Sequence, residues 1–252
     1  MVVILVTRIF ACDQANPDPT DAWLDRIEKQ AARIRTFEAA VRYDRIDRLF
    51  RTKEIRHGRL IYRAGPPAQF AISFDKLIED GRPSELNVRY IFDGRWLVER
   101  YDQKKLFIKR AVVASNDAES GDPLAGGIGP FPVPVTFEKA KVKKQFEVSV
   151  LAFDSEKDPP RSIHVKLIPK PNRYVEFEQI DIWYDTETLL PVRLRTLGDA
   201  RSESVVALRG AKVNQPVDRR LVDTSEPTGR GWRIERIGRK LEESKGRRVV
   251  EK

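Results

Sequence analysis

Five short runs between residues 55 and 110 decide the fold: Ile55-Arg-His-Gly-Arg-Leu-Ile-Tyr-Arg63, Gln69-Phe-Ala-Ile-Ser-Phe-Asp75, Val88-Arg-Tyr-Ile-Phe92, Trp96-Leu-Val-Glu-Arg-Tyr101 and Leu106-Phe-Ile-Lys-Arg110. Apolar and polar residues alternate along several of them, and Asp93-Gly94 supplies a tight hairpin turn in the middle. Alternation with period two gives an antiparallel sheet one apolar face and one wet face. A long sheet of this kind needs a cover, either helices of its own or a bound apolar ligand.

On the N-terminal side the period changes. Trp23, Leu24, Ile27, Ala31 and Ile34 recur at three- and four-residue intervals. They predict an amphipathic helix over Asp21–Thr36, capped by Thr20 or Asp21. Phe37, Ala39, Val41 and Tyr43 then alternate as a strand, and the charged Asp44–Arg48 leads to a second one around Phe50–Ile55. On the C-terminal side Ser115–Asp122 is a polar loop. Pro123-Leu-Ala-Gly-Gly-Ile-Gly-Pro-Phe-Pro-Val-Pro134 is apolar yet full of helix and strand breakers. Exposed, such a segment is costly, so it reads as a buried connector or as a lid over something apolar. Val135–Gln145 predicts a helix carrying Lys139, Lys141, Lys143 and Lys144. Strands resume with Phe146, Val148 and Val150, then Ile163, Val165 and Leu167, then Ile180, Ile182 and Tyr184 before the turn at Asp185–Thr188. Pro191 opens another, and Ser202–Leu208 is the last. The pattern is one α+β domain of about ten or eleven strands.

A chain of 252 residues with 40% hydrophobic content can bury a full core, and its one cysteine excludes an intramolecular disulfide framework. No run approaches the ~20 apolar residues of a membrane-spanning helix. The net charge of +9 is concentrated: residues 230–252 hold nine Lys or Arg and four Asp or Glu, more than half of the excess. This tail reads as a solvated, partly helical terminus in which Trp232, Ile234, Ile237 and Leu241 form a short stripe. At the other end an apolar start, residues 1–6, precedes Ile9-Phe-Ala-Cys12, which is similar to the lipobox of a bacterial lipoprotein signal. Export and lipidation at Cys12 are the corresponding expectations.

Catalytic patterns are missing. The two histidines, His57 and His164, have no ligand-spaced partners, and there is no nucleophile elbow, Walker loop or dinucleotide fingerprint. Asp181 and Asp185 are read as solvated charges at strand ends and turns. No enzyme activity, cofactor or metal is expected.

The order of these features resembles the periplasmic lipoprotein carrier (LolA-like) family. The resemblance rests on the helix Trp23–Ile34 followed by Phe37-Glu-Ala-Ala-Val-Arg-Tyr43, on Gly58-Arg-Leu-Ile-Tyr-Arg63 with Pro66-Pro-Ala-Gln-Phe70, and on Phe92-Asp-Gly-Arg-Trp-Leu-Val-Glu-Arg-Tyr101. Pro130-Phe-Pro, Ile163-His-Val-Lys-Leu-Ile-Pro-Lys170 and Ile180-Asp-Ile-Trp-Tyr-Asp185 with Pro191–Thr196 continue it. It implies an incomplete, strongly curved antiparallel β-barrel, with the N-terminal helix and a mid-chain lid segment covering its concave face. It further implies a non-catalytic carrier of acyl chains, with Arg63 in the place of the family's lid latch.

The resulting expectations divide the chain into a signal-like segment and linker (residues 1–20), a lipid-binding domain (21–222) and a basic tail (223–252). Phe37, Val41, Leu60 and Phe70 are candidates to line the hollow, together with Ile72, Phe92, Trp96 and Trp183. Which alternate set faces inward depends on register, because a slip of one residue inverts it. The expected partners are lipid acyl chains or a lipoprotein in the periplasm or cell envelope, with the membrane surface as a further contact and no nucleic acid; the chain is expected to be a monomer. The alternative is an envelope signalling or interaction domain whose sheet is filled by its own side chains.

Overall fold

The computed structural model describes residues 19–47, 49, 52–112, 130–171, 177–198 and 202–237. Helix α1 (Pro19–Ala31) opens with proline, whose missing N–H has no helical partner to lose, and carries Asp21 in its first turn and Lys29 in its last. It is shorter than the expected Asp21–Thr36: a turn closed by the Arg33 and Ile34 amides on Gln30 and Ala31 ends it, and Thr36 already belongs to the first strand. Six strands follow: β1 (Thr36–Asp47), β2 (Thr52–Arg63), β3 (Gln69–Glu79), β4 (Arg82–Phe92), β5 (Trp96–Tyr101) and β6 (Leu106–Ala111). After helix α2 (Lys139–Gln145) come β7 (Phe146–Leu151), β8 (Ser162–Pro169), β9 (Phe177–Asp185), β10 (Pro191–Gly198) and β11 (Glu203–Val213). A 3₁₀ turn (Arg219–Val222) and β12 (Arg233–Ile237) complete the described chain.

All twelve strands form one curved, open sheet in the order β12-β6-β5-β4-β3-β2-β1-β11-β10-β9-β8-β7. Two antiparallel meanders, β1–β6 and β7–β11, meet where β1 pairs with β11 from Phe37 opposite Val213 to Ile46 opposite Glu203. Pairing is antiparallel throughout except between β12 and β6. Register shifts interrupt the ladders at Glu38/Ala40, His57/Gly58 and Phe74/Lys76, and such bulges bend a sheet. Gly58 is required at its shift, since a Cβ there would overlap the Ser73 carbonyl. What was expected as two strands, Phe50–Ile55 and Ile55–Arg63, is one 12-residue strand, β2.

This topology has a consequence for the connector. Consecutive strands β6 and β7 lie toward opposite ends of the sheet, so the chain between them must traverse the whole of it. Its described part, Pro130–Glu138, lies over the concave face, with Phe131 against Tyr43 of β1 and Phe137 against Tyr184 of β9: Phe131, Val133, Val135 and Phe137 are all buried in the same cluster as the concave-face residues. The helix expected over Val135–Gln145 therefore starts only at Lys139. Val135 and Phe137 lie in non-helical backbone against the sheet, and the N-cap Glu138 is extended at φ −118°.

Both faces of one half of the sheet are covered. On the convex side Ala71, Ile91, Val98, Phe107 and Val222 form a second core, capped by Trp232 and Ile234. The expectation of a wet outer face is corrected there, as is that of a helical stripe for Trp232, Ile234 and Ile237, while Leu241 lies outside the described residues. Trp232 and Ile234 point the same way only in an extended chain, and β12 supplies it. Asp93 ties this layer down: its Oδ1 accepts the amides of Arg95 and Trp96, and its Oδ2 accepts the Thr224 hydroxyl at 2.6 Å.

Candidate functional site

The concave face is a continuous apolar floor. In the first meander Phe37, Val41, Leu60, Phe70, Ile72 and Phe92, six of the eight candidates, lie together on it, none more than 3% exposed. Ile180, Ile182 and Leu194 extend it across the second meander. Two candidates fall on the other face. Leu97 is in the concave cluster and Val98 in the convex one, so Trp96, two residues before Val98, is convex, with Arg95 and Lys109 over its ring. Trp183, between Ile182 and Tyr184, is likewise convex. Cys12 and residues 123–129 lie outside the described residues.

The floor is closed by α1, through Leu24 and Ile27, by the connector, and by Val142 of α2. Polar contacts between α1 and the α2 end of the cover join Lys139 and Lys143 to acids of α1. The Lys139 amide donates to Glu28 at 2.9 Å, its ammonium to Asp25 at 2.7 Å, and the Lys143 ammonium to Asp21 at 2.7 Å. Lys143 holds the Asp21 carboxyl below its ordinary pKa, and Asp25 holds Lys139 above its own. Exposed pairs of this kind add little stability and are screened by salt. At the other end the Tyr43 hydroxyl donates to the Pro130 carbonyl at 3.4 Å, and the Tyr43 and Phe131 rings lie 5.5 Å apart. An open cleft of about 580 Å³ begins there, lined by Tyr43, Arg56, Tyr90 and Tyr101 beside Pro130.

Arg63 does not touch this cover. Leu60 and Tyr62 face the hollow, which sends Arg63 to the convex side, where Nη1 donates to Gln69 Oε1 at 2.8 Å across the β2–β3 hairpin. It lines a shallow cleft there with Arg219 and Arg220. Among the described residues the expected lid latch is thus bonded to the neighbouring strand and not to the cover.

A polar cluster that pattern reading passed over lies on the convex side of β8–β10. Asp181, expected as a solvated charge, is 1% exposed in mid-strand. His164 Nε2 is 2.9 Å from Asp181 Oδ1, and its Nδ1 is 3.4 Å from Asp158 Oδ1. The Trp183 indole stacks on His164 with ring centres 4.3 Å apart and donates to Asp158 at 2.6 Å, while Arg193 covers its other side and donates to the Lys157 carbonyl. The cluster fastens the loop after β7 onto the sheet. Among the described residues no group of three or more His, Cys, Asp or Glu side chains is placed to hold a metal, and no helix is long and apolar enough to cross a membrane.

No protein-family model and no curated protein sequence matches the chain. Solved structures do match in fold. An uncharacterized conserved protein from Thermus thermophilus aligns at TM-score 0.50 and 12% identity, over 87% of this chain and 99% of that one. A DUF1329 family protein from Desulfovibrio piger aligns at TM-score 0.44 and 11% identity, over 82% and 98%. A LolA superfamily protein from Nitrosomonas europaea aligns at TM-score 0.40 and 10% identity, over 79% and 97%. At such identities the likeness is one of fold, and function has to be argued from the site. The likeness that reaches a TM-score of 0.50, to the Thermus thermophilus protein, shows a shared fold along almost the whole of that protein.

Proposed function

We propose that this chain is a non-catalytic binder of lipid acyl chains, or of the acyl chains of a lipoprotein, in the bacterial cell envelope, with the connector Pro130–Phe137 as a displaceable cover. The observation that carries the reading is the nature of what closes the hollow: a loop and two helices over an apolar floor, with the ion pairs that join them among the described residues exposed to solvent. The energies are matched. Burying Phe131, Val133, Val135 and Phe137 is worth about 1.5–3 kcal/mol each. Shielding one acyl chain of about fifteen carbons is worth roughly 12 kcal/mol, at ~0.8 kcal/mol per CH₂. Cover and cargo are therefore comparable occupants of one space. Exchange between them needs no chemical step.

One observation favours a second reading. The hollow is occupied by the chain's own side chains, as in an interaction domain with a self-filled sheet. The two readings separate in a titration of the purified protein with a pyrene-labelled long-chain fatty acid. Under the carrier reading uptake is saturable and reversed by unlabelled phospholipid. Absence of saturable uptake would leave the interaction domain.

A further inference from the structure

Among the buried side-chain polar atoms of the described residues, the Tyr184 hydroxyl alone has no hydrogen-bond partner. The residue is 1% exposed and belongs to the concave core. It is the last but one residue of β9, just before the turn that Asp185 opens, and its backbone pairs with Ile163 and Pro191. Its ring meets that of Phe137 edge-on at 6.5 Å, which sets the residue beneath the α2 end of the connector, and its hydroxyl is buried there. A core that needed only apolar filling would be served by phenylalanine, which has the same ring and no polar atom to desolvate. A tyrosine here carries an unmet donor whenever the connector is seated. Burial also pushes its pKa up, so the proton stays on the oxygen and is available to donate.

From this orphaned donor, and resting on the lipid-binding reading above, we propose that Tyr184 donates a hydrogen bond to a carbonyl oxygen of the cargo. The hollow then prefers acyl esters to chains of equal length that lack the carbonyl. An ester carbonyl is the acceptor that an acylated glycerol and an acylated lipoprotein share, and both place it at the polar end of the hydrocarbon. With that end at Tyr184, the chains run along the floor toward Tyr43.

The test is displacement of the pyrene-labelled fatty acid by a diacylglycerol and by its dialkyl ether analogue, in the wild type and in Tyr184→Phe. The expected result is about tenfold tighter binding of the ester by the wild type, or 1.4 kcal/mol. In Tyr184→Phe the preference disappears, the ether binds as before, and the thermal midpoint is unchanged or higher. A preference that survives in Tyr184→Phe overturns the inference, as does a wild type that binds both lipids equally. A lower thermal midpoint for Tyr184→Phe also overturns it, since the hydroxyl would then be satisfied in the closed form. Failure of the wild type to take up probe or either lipid removes the lipid-binding reading itself. Acylglycerol and lipoprotein as sources are told apart by repeating the displacement with a triacylated cysteinyl peptide.

Discussion

Phe131 is the residue at which the proposed competition between cover and cargo is most directly measured. It is 2% exposed, and its ring lies against Tyr43 at the mouth of the hollow. Replacing a buried phenylalanine by alanine costs about 3–5 kcal/mol, from lost transfer energy and the cavity left behind. If the connector leaves the hollow when an acyl chain enters, this cost falls on the closed form alone. At 1.4 kcal/mol per factor of ten, Phe131→Ala then tightens apparent binding of the pyrene fatty acid by up to about a hundred- to a thousandfold, until the closed form ceases to dominate. Phe107→Ala is the control: it opens a comparable hole in the convex core, which cargo does not touch. Urea unfolding and fluorescence titration are run on both variants, with Phe131→Leu as a milder step if the alanine variant is too unstable to purify. Both variants should lose stability, and only the Phe131 series should gain affinity. Equal stability losses with unchanged or weaker binding in the Phe131 series would refute a connector that yields to cargo.

Two further predictions concern the convex face. Trp183→Phe removes the indole N–H that donates to the buried Asp158 carboxylate, and should lower stability by about 1–3 kcal/mol while leaving lipid uptake unchanged. A fall in uptake without a fall in stability would instead place Trp183 in the binding path. The second is a pH dependence. Burial opposes ionisation of Asp93, but the Thr224 hydroxyl and the amides of Trp96 and Arg95 outweigh it and hold the carboxyl below its ordinary 3.8. A depressed folded-state pKa contributes stability above pH 3.8 that is lost as pH falls through the folded value. The stability gap between the wild type and Thr224→Val should therefore be widest near neutrality and narrow below pH 3.8; a gap of constant width in urea midpoints would exclude Asp93 as its source.

Alternation made the floor of the hollow legible. Phe37, Leu60, Phe70, Ile72 and Phe92 lie together in the concave cluster; alternation puts the residues of each strand on a shared face, and the register, which the sequence left open, decides which face is inward. Trp96 and Trp183 are suggested by size alone, and they lie a single residue out of phase with the inward set. Large aromatics also suit the outer face when a cation covers them, as Arg95 and Arg193 do. The connector was visible as an apolar, proline-rich anomaly, but its position was not. That depends on β6 and β7 lying toward opposite ends of the sheet, a fact of topology that no local pattern contains. The strand β12 was hidden for a related reason: five residues with charges at Arg233, Glu235 and Arg236 carry little apolar signal, and only pairing with β6 makes them a strand. Asp181 was misjudged because an acid beside a turn is usually solvated. Its burial follows from His164 on β8 and Arg195 on β10, which flank it from the neighbouring strands and are distant in sequence.

A hollow that exchanges its contents must keep its shape while it does so, because an emptied apolar cavity with soft walls collapses and forfeits the binding energy. The arrangement of the two faces answers this requirement. The half of the floor built from β3–β6 is backed by a core of its own, in which Val222, Trp232 and Ile234 pack on Ala71, Ile91, Val98 and Phe107 without contribution from the connector. The half built from β8–β10 is backed by His164, Asp158, Asp181 and Trp183, a buried polar network that fixes its neighbours by directed bonds. Between them β1 is paired along most of its length with both β2 and β11. None of these supports runs through Pro130–Phe137. The connector fills the concave face, whereas the walls are held from behind, so the free energy of seating it separates from that of folding the sheet. That separation is what a displaceable cover requires, and a core in which the same residues both filled the hollow and braced its walls would lack it.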